Sequence, residues 1–110
     1  MKIAVACDRP EPTALVVPRF GRADWFLIYD TVSKRFATLS HRKRPSAACE
    51  IGIQSARLLI RARIGAVVAG EFGDSARRIL HDAHICLLRA GPVTAALAIS
   101  EFQHGRLVDL

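Results

Sequence analysis

The sequence has no Cys-x-x-Cys pair, and its three cysteines, Cys7, Cys49 and Cys86, stand far apart. An odd number of widely spaced cysteines is not the framework of a disulfide-rich secreted domain, and it suits a reducing compartment. Structural zinc needs four convergent ligands, so the pair His81 and His84 beside Cys86 lacks the partners that would complete such a site. We therefore predict free thiols, solvated histidines and a cytoplasmic protein.

Long apolar runs and a phosphate-binding loop are also missing. The first apolar run, Lys2 to Cys7, is much shorter than the apolar part of a secretion signal or a membrane span, so we expect no membrane association. The glycine-containing stretch from Gly70 to Gly73 carries neither the lysine nor the serine of a P-loop. No linker or repeat interrupts the 110 residues, which predicts a single domain over residues 1–110.

Positive charge is what the chain has in excess. It contains 16 Lys and Arg against 10 Asp and Glu, for a formal net charge of +6, and most of these residues are scattered except for the run RKR at 42–44. This balance favours an anionic partner, which leaves a nucleic acid, an acidic protein, an anionic cofactor or a merely solvated basic surface open. The aromatic residues Trp25, Phe26 and Tyr29 lie within one apolar run. We expect them in the core rather than on a base-stacking surface, which disfavours nucleic acid.

The apolar pattern changes between strand and helix periods along the chain. It predicts strands over 2–7, 25–29 and 35–39, a helix over 50–64 capped by Gly65, a strand over 66–69, a helix over 74–83, a strand over 85–88 and a helix over 94–103. The element order is βββαβαβα. Right-handed crossovers then make the fourth and fifth strands parallel to the first. We predict an α/β fold with a five-stranded mixed sheet of order 3-2-1-4-5, in which strand 2 is antiparallel.

The predicted sheet places the carboxyl ends of its first and fourth strands side by side, where open α/β sheets bind ligands. A long proline-containing loop follows the first strand, and long loops in small domains are often functional. The residues expected to converge at this edge are Cys7, Asp8, the loop 9–22, Cys49, Gly70 and Glu71.

Several segments resemble, in order and spacing, the dinitrogenase iron-molybdenum cofactor biosynthesis family, which includes NifX-type carriers and the C-terminal domain of NifB-type cofactor synthases. These segments are KIAVACD, FGRADWFLIYDT, IGIQSARLLI, GAVVAGEFG and HGRL. The resemblance implies a ribonuclease H-like fold and a non-enzymatic binding or carrier role for an iron-sulfur cluster or iron-molybdenum cofactor precursor. It also implies nitrogenase assembly proteins as partners, with the chain acting as a monomer or a homodimer.

One position departs from the family pattern. Relatives often carry histidine immediately before Phe-Gly-Arg, where this chain has Arg19. A guanidinium stays protonated and does not coordinate iron, but it hydrogen-bonds to sulfide and pairs with anions. The predicted contribution of Arg19 and of Arg22 is therefore electrostatic.

Cysteine thiolates are the usual ligands of iron-sulfur clusters, and nearby cations and backbone donors stabilise an anionic cluster. Cys49 is the first candidate ligand, because a helix N-terminus lowers the pKa of a thiol. Cys7 is the second candidate, and Gly70 and Gly73 are candidate backbone contacts. Two thiols do not complete a four-cysteine site, so a cluster would need other ligands, a bridging dimer or transient binding. Ordinary packing or capping roles remain open for both cysteines, and Cys86 is expected in the core.

Two further functions fit the same fold. One is a regulatory or interaction module that binds no cofactor. The other is a metal-dependent nuclease that uses Asp8 and Glu71 at the ends of the first and fourth strands to hold metal ions. Such a nuclease needs a third and a fourth carboxylate, and Glu50 or Asp74 would have to serve.

Overall fold

The computed structural model describes residues 1–40 and 48–110, apart from the side chains of residues 48–51. The basic run at 42–44 and its neighbour His41 lie outside the described residues. The elements are β1 (Lys2–Cys7), a 3-10 helix (Phe20–Arg22), β2 (Trp25–Asp30), β3 (Arg35–Ser40), α1 (Ala48–Arg61), β4 (Ala66–Ala69), α2 (Asp74–Asp82), β5 (Cys86–Arg89), α3 (Ala95–Gln103) and β6 (Val108–Asp109). No helix in this part of the chain is long and apolar enough to cross a bilayer.

The strands form one mixed sheet of order β3-β2-β1-β4-β5-β6. Strand β1 is parallel to β4 and β4 to β5, whereas β2 is antiparallel to both β1 and β3. The predicted order 3-2-1-4-5 and the antiparallel second strand are thereby confirmed. The predicted count of five strands is wrong, because β6 adds a sixth at the edge beside β5. Two residues carry no apolar periodicity, so a strand of this length leaves no signal in the sequence.

The central strand is buried on both faces. Ile3 and Val5 lie in a core cluster with α3, while Ala4 and Ala6 lie in a second cluster with α1 and α2. Because successive side chains of a strand point to opposite faces, an uninterrupted apolar run fits a strand covered on both sides. The helices are therefore divided between the two faces of the sheet.

A residue in the left-handed conformation follows each α-helix, two positions after its last residue. These residues are Arg63 (φ 58°), His84 (φ 60°) and Gly105 (φ 66°). After α2, for example, the Ile85 N–H donates to the Leu80 carbonyl at 3.0 Å, which is the six-residue hydrogen bond of a Schellman cap. Two of the three caps thus use a side-chain-bearing residue where glycine is usual.

The predicted C-cap of the first helix is wrong. Gly65 lies beyond the cap, and its N–H donates to the Lys2 carbonyl at 2.8 Å. A Cβ atom on Gly65 would lie 3.0 Å from atoms of the Met1 side chain. The glycine therefore serves a close approach between chain segments, while Arg63 makes the left-handed turn.

Replacing His84 by glycine is expected to stabilise the protein. The side chain of His84 is exposed, and glycine adopts a positive φ without the steric penalty of a Cβ atom. Part of this gain is offset by the greater entropy of glycine in the unfolded chain, so we expect a net increase of about 0.5 to 1 kcal/mol. Urea denaturation measures it. The control His84→Ala keeps the Cβ atom, and an equal gain from alanine would contradict the conformational explanation.

Candidate functional site

Part of the loop after β1 is inserted between the carboxyl ends of β1 and β4. The Val17 N–H donates to the Ala6 carbonyl at 2.9 Å, and the Gly70 N–H donates to the Val17 carbonyl at 3.0 Å. Further along both segments, the Phe20 N–H donates to the Glu71 carbonyl at 3.0 Å. The loop therefore extends the sheet between the two strand ends, at the edge where the sequence predicts a site.

Gly70 is required by this insertion. A Cβ atom at Gly70 would lie 2.5 Å from the carbonyl oxygen of Pro18 and 2.8 Å from its Cα atom. Backbone atoms do not move aside as the end of a flexible side chain does. In contrast, no atom lies within 4 Å of a Cβ atom placed on Gly73. Gly70 thus has a packing role, whereas the space around Gly73 is open.

The two Phe-Gly motifs of the sequence meet in the core. The Phe20 ring is 1% exposed and lies 5.3 Å from the Phe72 ring and 5.7 Å from the Phe26 ring, measured between centroids. Aromatic pairs at such distances contribute about 0.5 to 1.5 kcal/mol beyond the area they bury. Phe20 therefore anchors the 3-10 helix, while Arg19 before it and Arg22 at its end remain exposed.

Arg19 has a counter-ion that the sequence analysis did not identify. Its Nε atom lies 3.0 Å from Oε1 of Glu71, and the two side chains are 67% and 59% exposed. An exposed pair of this kind contributes about 0 to 1 kcal/mol to stability, so its main effect is on the local charge. The signal in the sequence was only that Glu71 follows β4, and the pairing itself arises from the inserted loop.

Small residues bring the 3-10 helix close to α1. A Cβ atom on Gly21 would lie 3.5 Å from backbone atoms of Gly52, and one on Gly52 would lie 3.5 Å from the Cβ atom of Ala76 in α2. Cys49 belongs to the first turn of α1, three residues before Gly52, and its side chain is not among the described atoms. The structure therefore brings the start of the helix that carries Cys49 beside the segment that carries Arg22.

The N-terminus of α2 borders the same surface. Its N-cap residue is Gly73, which has no side chain to accept a hydrogen bond from the first amides of the helix. The first amides of a helix have no intrahelical acceptor and are suited to an anion, although Asp74 in this first turn places negative charge there. The N-terminus of α3 is already occupied, because Thr94 caps it and the Ala95 N–H donates to the Ala14 carbonyl at 2.8 Å.

Cys7 lies in the core rather than on this surface. It is 0% exposed and belongs to the cluster under α3, whereas Phe20 belongs to the cluster under α1 and α2. Its Sγ atom donates to the Arg9 carbonyl at 3.2 Å, and burial raises the pKa of the thiol. Because the thiolate is the form that binds metal, a ligand role for Cys7 requires this core to open.

The protein is expected to lose stability in alkaline solution. Burial raises the pKa of both Cys7 and Cys86, and the nearby Asp109 carboxylate adds to the increase at Cys86. Unfolded cysteine has a pKa of about 8.5, so above that pH the unfolded chain binds fewer protons than the folded chain. The stability that the two protonated thiols contribute is therefore fully present below the pKa of cysteine in the unfolded chain. It is lost as the pH rises through the pKa values of the two thiols in the folded chain. Urea denaturation at several pH values measures this slope, and an unchanged slope in Cys7→Ala would contradict the assignment to Cys7.

Each of the two carboxylates that a nuclease would use lies beside an arginine side chain. Asp8 lies 3.9 Å from Nε of Arg9, and Glu71 pairs with Arg19, while the inserted loop segment runs between the two strand ends. Among the described side chains, those of residues 1–40 and 52–110, no group of three His, Cys, Asp or Glu residues is arranged to hold a metal ion. Among the histidines, Nε2 of His81 lies 3.2 Å from the carbonyl of Leu110. The described geometry therefore provides no support for the two-metal arrangement.

Comparisons with known proteins agree with this architecture. A family model described as "Dinitrogenase iron-molybdenum cofactor" matches residues 1–105. The apo form of the orange protein from Desulfovibrio gigas has a TM-score of 0.89 and 26% identity, over 99% of this chain and 92% of that chain. A proposed NifB protein from Thermotoga has a TM-score of 0.82 and 25% identity, over 99% of this chain and 92% of that chain. A proposed dinitrogenase from Methanocaldococcus jannaschii, with a TM-score of 0.72 and 16% identity over 100% and 94%, shows the shared fold alone. No curated protein sequence matches the chain significantly.

Proposed function

The chain belongs to the dinitrogenase iron-molybdenum cofactor family, and on that premise we propose that it is a non-enzymatic carrier of an anionic metal cluster. The cargo is an iron-sulfur cluster or an iron-molybdenum cofactor precursor, exchanged with nitrogenase assembly proteins in the cytoplasm. We further propose that residues 1–110 act as one domain with the ribonuclease H-like strand order. The observation that carries the proposal is the pair of exposed arginines, Arg19 and Arg22, fixed on either side of the buried Phe20.

The residues around this pair supply complementary interactions for such a cargo. A thiolate at Cys49 would ligate a metal atom, and the helix N-terminus favours that ionised form. Arg19 and Arg22 would pair with the negative charge of the cluster, and the amides that follow Gly73 would donate to its sulfide. This set is too small for a permanent four-cysteine site. Loose binding of this kind suits a carrier that must release its cargo.

Anaerobic incubation of the full chain with ferrous iron and sulfide tests the proposal. After gel filtration, we expect charge-transfer absorption in the visible range and iron that co-elutes with the protein. A parallel incubation with isolated cofactor precursor extends the test to molybdenum. If neither treatment leaves metal on the protein, the carrier function is wrong and an interaction module without a cofactor becomes the better explanation.

Replacing Glu71 by glutamine is expected to strengthen cluster binding. The substitution removes the carboxylate that neutralises Arg19 but keeps the backbone carbonyl that accepts the Phe20 N–H. The lost pair is exposed, so the free energy of unfolding should change by less than about 1 kcal/mol. We expect affinity to rise about threefold at low ionic strength, with a smaller gain at high salt. Iron retained at increasing chloride concentration measures this change.

A matched control distinguishes the local effect from net charge. Glu101→Gln changes the total charge by the same amount and removes the ion pair between Glu101 and Arg106 beyond α3. We expect no comparable increase in retained iron. Equal gains from the two variants would mean that Arg19 has no particular role.

A further inference from the structure

Strand β3 forms one edge of the sheet in the described part of the chain. All six residues of β3 pair with β2 on one side, in the register from Trp25↔Ser40 to Asp30↔Arg35. On its other side, β3 has no strand neighbour among residues 1–40 and 48–110. Alternate backbone N–H and C=O groups of an edge strand point away from the sheet, and an extended peptide can pair with them.

An apolar groove runs beside this edge. Its volume is about 370 Å³, and it lies between β3 and the end of α1. Leu39, Ala62 and Ile64 are among its apolar lining residues, whereas the Phe36 ring lies on the other face of the sheet, 4.9 Å from the Tyr29 ring. A peptide strand added to β3 would place alternate side chains toward such a groove. The edge therefore offers both backbone hydrogen bonds and apolar contacts.

The charge around the groove is positive. Lys2 and Arg35 line it, and the exposed Lys34 and Arg63 are adjacent in sequence to lining residues. Asp30 is the acidic residue among the lining residues and lies between Lys2 and Arg35 in the strand register, so these three residues together leave one net positive charge. An incoming segment with acidic side chains would meet complementary charge.

We propose that the β3 edge and its groove bind an extended acidic segment of a partner protein, which adds to the sheet as a further strand. On the face of the added strand that covers the groove, an acidic residue lies at the end lined by Lys2 and Arg35, and apolar residues lie opposite Ala37 and Leu39. A second copy of this chain fits less well, because each copy carries a net charge of +6 and would align cationic edges. The groove lies near the start of β1, whereas Arg19 and Arg22 follow the end of β1. Partner and cargo therefore occupy separate surfaces.

Fluorescence anisotropy with synthetic peptides and the full chain tests this proposal. The probe is a short labelled peptide that carries one glutamate and two valines at alternate positions, which share one face of a strand, with threonine between them. It is compared with a version in which lysine replaces the glutamate and with an N-methylated version that cannot form ladder hydrogen bonds. We expect the acidic peptide to bind at least about tenfold more tightly than either comparison peptide at low salt. The double variant Lys2→Gln, Arg35→Gln should weaken it about tenfold, while the charge-matched control Arg77→Gln, Arg78→Gln on α2 should leave it nearly unchanged.

Several outcomes would overturn the proposal. Equal binding of the acidic and basic peptides would show that charge complementarity does not contribute to binding. Equal binding of the N-methylated peptide would show that the peptide does not add to the sheet as a strand. No binding of the acidic peptide would mean that the edge is already covered, by the chain itself or by a second copy, and sedimentation velocity would identify the second copy as a dimer. None of these readouts depends on metal retention, so they are independent of the carrier function.

Discussion

Gly70→Ala is expected to lower the free energy of unfolding by about 3 kcal/mol, at the upper end of the usual cost of overpacking. The added Cβ atom would lie 2.5 Å from the Pro18 carbonyl oxygen, so the inserted loop must move away from β4. That movement breaks the hydrogen bond from the Gly70 N–H to the Val17 carbonyl. Thermal and urea denaturation, followed by circular dichroism, measure the loss.

The control is Gly91→Ala. Gly91 is exposed, and no atom lies within 4 Å of a Cβ atom placed there. This substitution removes the same glycine flexibility from the unfolded chain without creating a clash, so we expect a change of less than about 1 kcal/mol. Similar destabilisation by both substitutions would show that the contact between Gly70 and Pro18 is not the cause. Because the inserted loop also positions Arg19, Gly70→Ala should reduce cluster retention as well.

Cys49→Ala is expected to abolish retention of iron after anaerobic reconstitution. The substitution removes the one candidate thiolate in the first turn of α1, and the cations at Arg19 and Arg22 cannot replace a coordinate bond to iron. Alanine is favourable in a helix, so the protein should remain folded. Iron content per chain and visible absorption measure the effect.

Cys86→Ala provides the matched control. Cys86 is a partly buried free thiol in β5, and Asp109 lies beside it. We expect this variant to retain iron as the parent does. If Cys49→Ala bound as much iron as the parent, the ligand assignment would be wrong while membership of the family would stand. If only the Cys7→Ala variant lost iron, ligation would have to involve opening of the core under α3.

The strand order could be predicted from the sequence because it depends on local periodicity and on the handedness of crossovers. The uninterrupted apolar runs at Lys2–Cys7 and Ala66–Ala69 predict strands, and right-handed crossovers make these strands parallel. The end of the first helix could not be located in this way. Glycine at position 65 suggested a cap, but a left-handed Arg63 makes the turn and Gly65 serves a contact with the N-terminus.

The candidate site was only partly predictable. The sequence predicted that the loop after β1 meets the carboxyl ends of β1 and β4, since the carboxyl ends of adjacent parallel strands lie together, and the binding role of Arg19 and Arg22 stays a prediction. It did not identify Glu71 as the counter-ion of Arg19, nor the burial of Cys7 beneath α3. Both depend on the path of the loop after β1, and a loop path is set by long-range hydrogen bonds rather than by periodicity.

By itself, then, the sequence determined the succession of elements, the order of the first five strands and the membership of the family. Only the tertiary structure decided that the loop enters the sheet, that Phe20 and Phe72 meet, and that β6 completes the edge beside β5. The physical reason is the separation in sequence between the residues that interact. Apolar periodicity reports which face of a strand or helix is buried, whereas the contacts at Gly70, Arg19 and β6 join residues distant in sequence that become neighbours only when the sheet has formed.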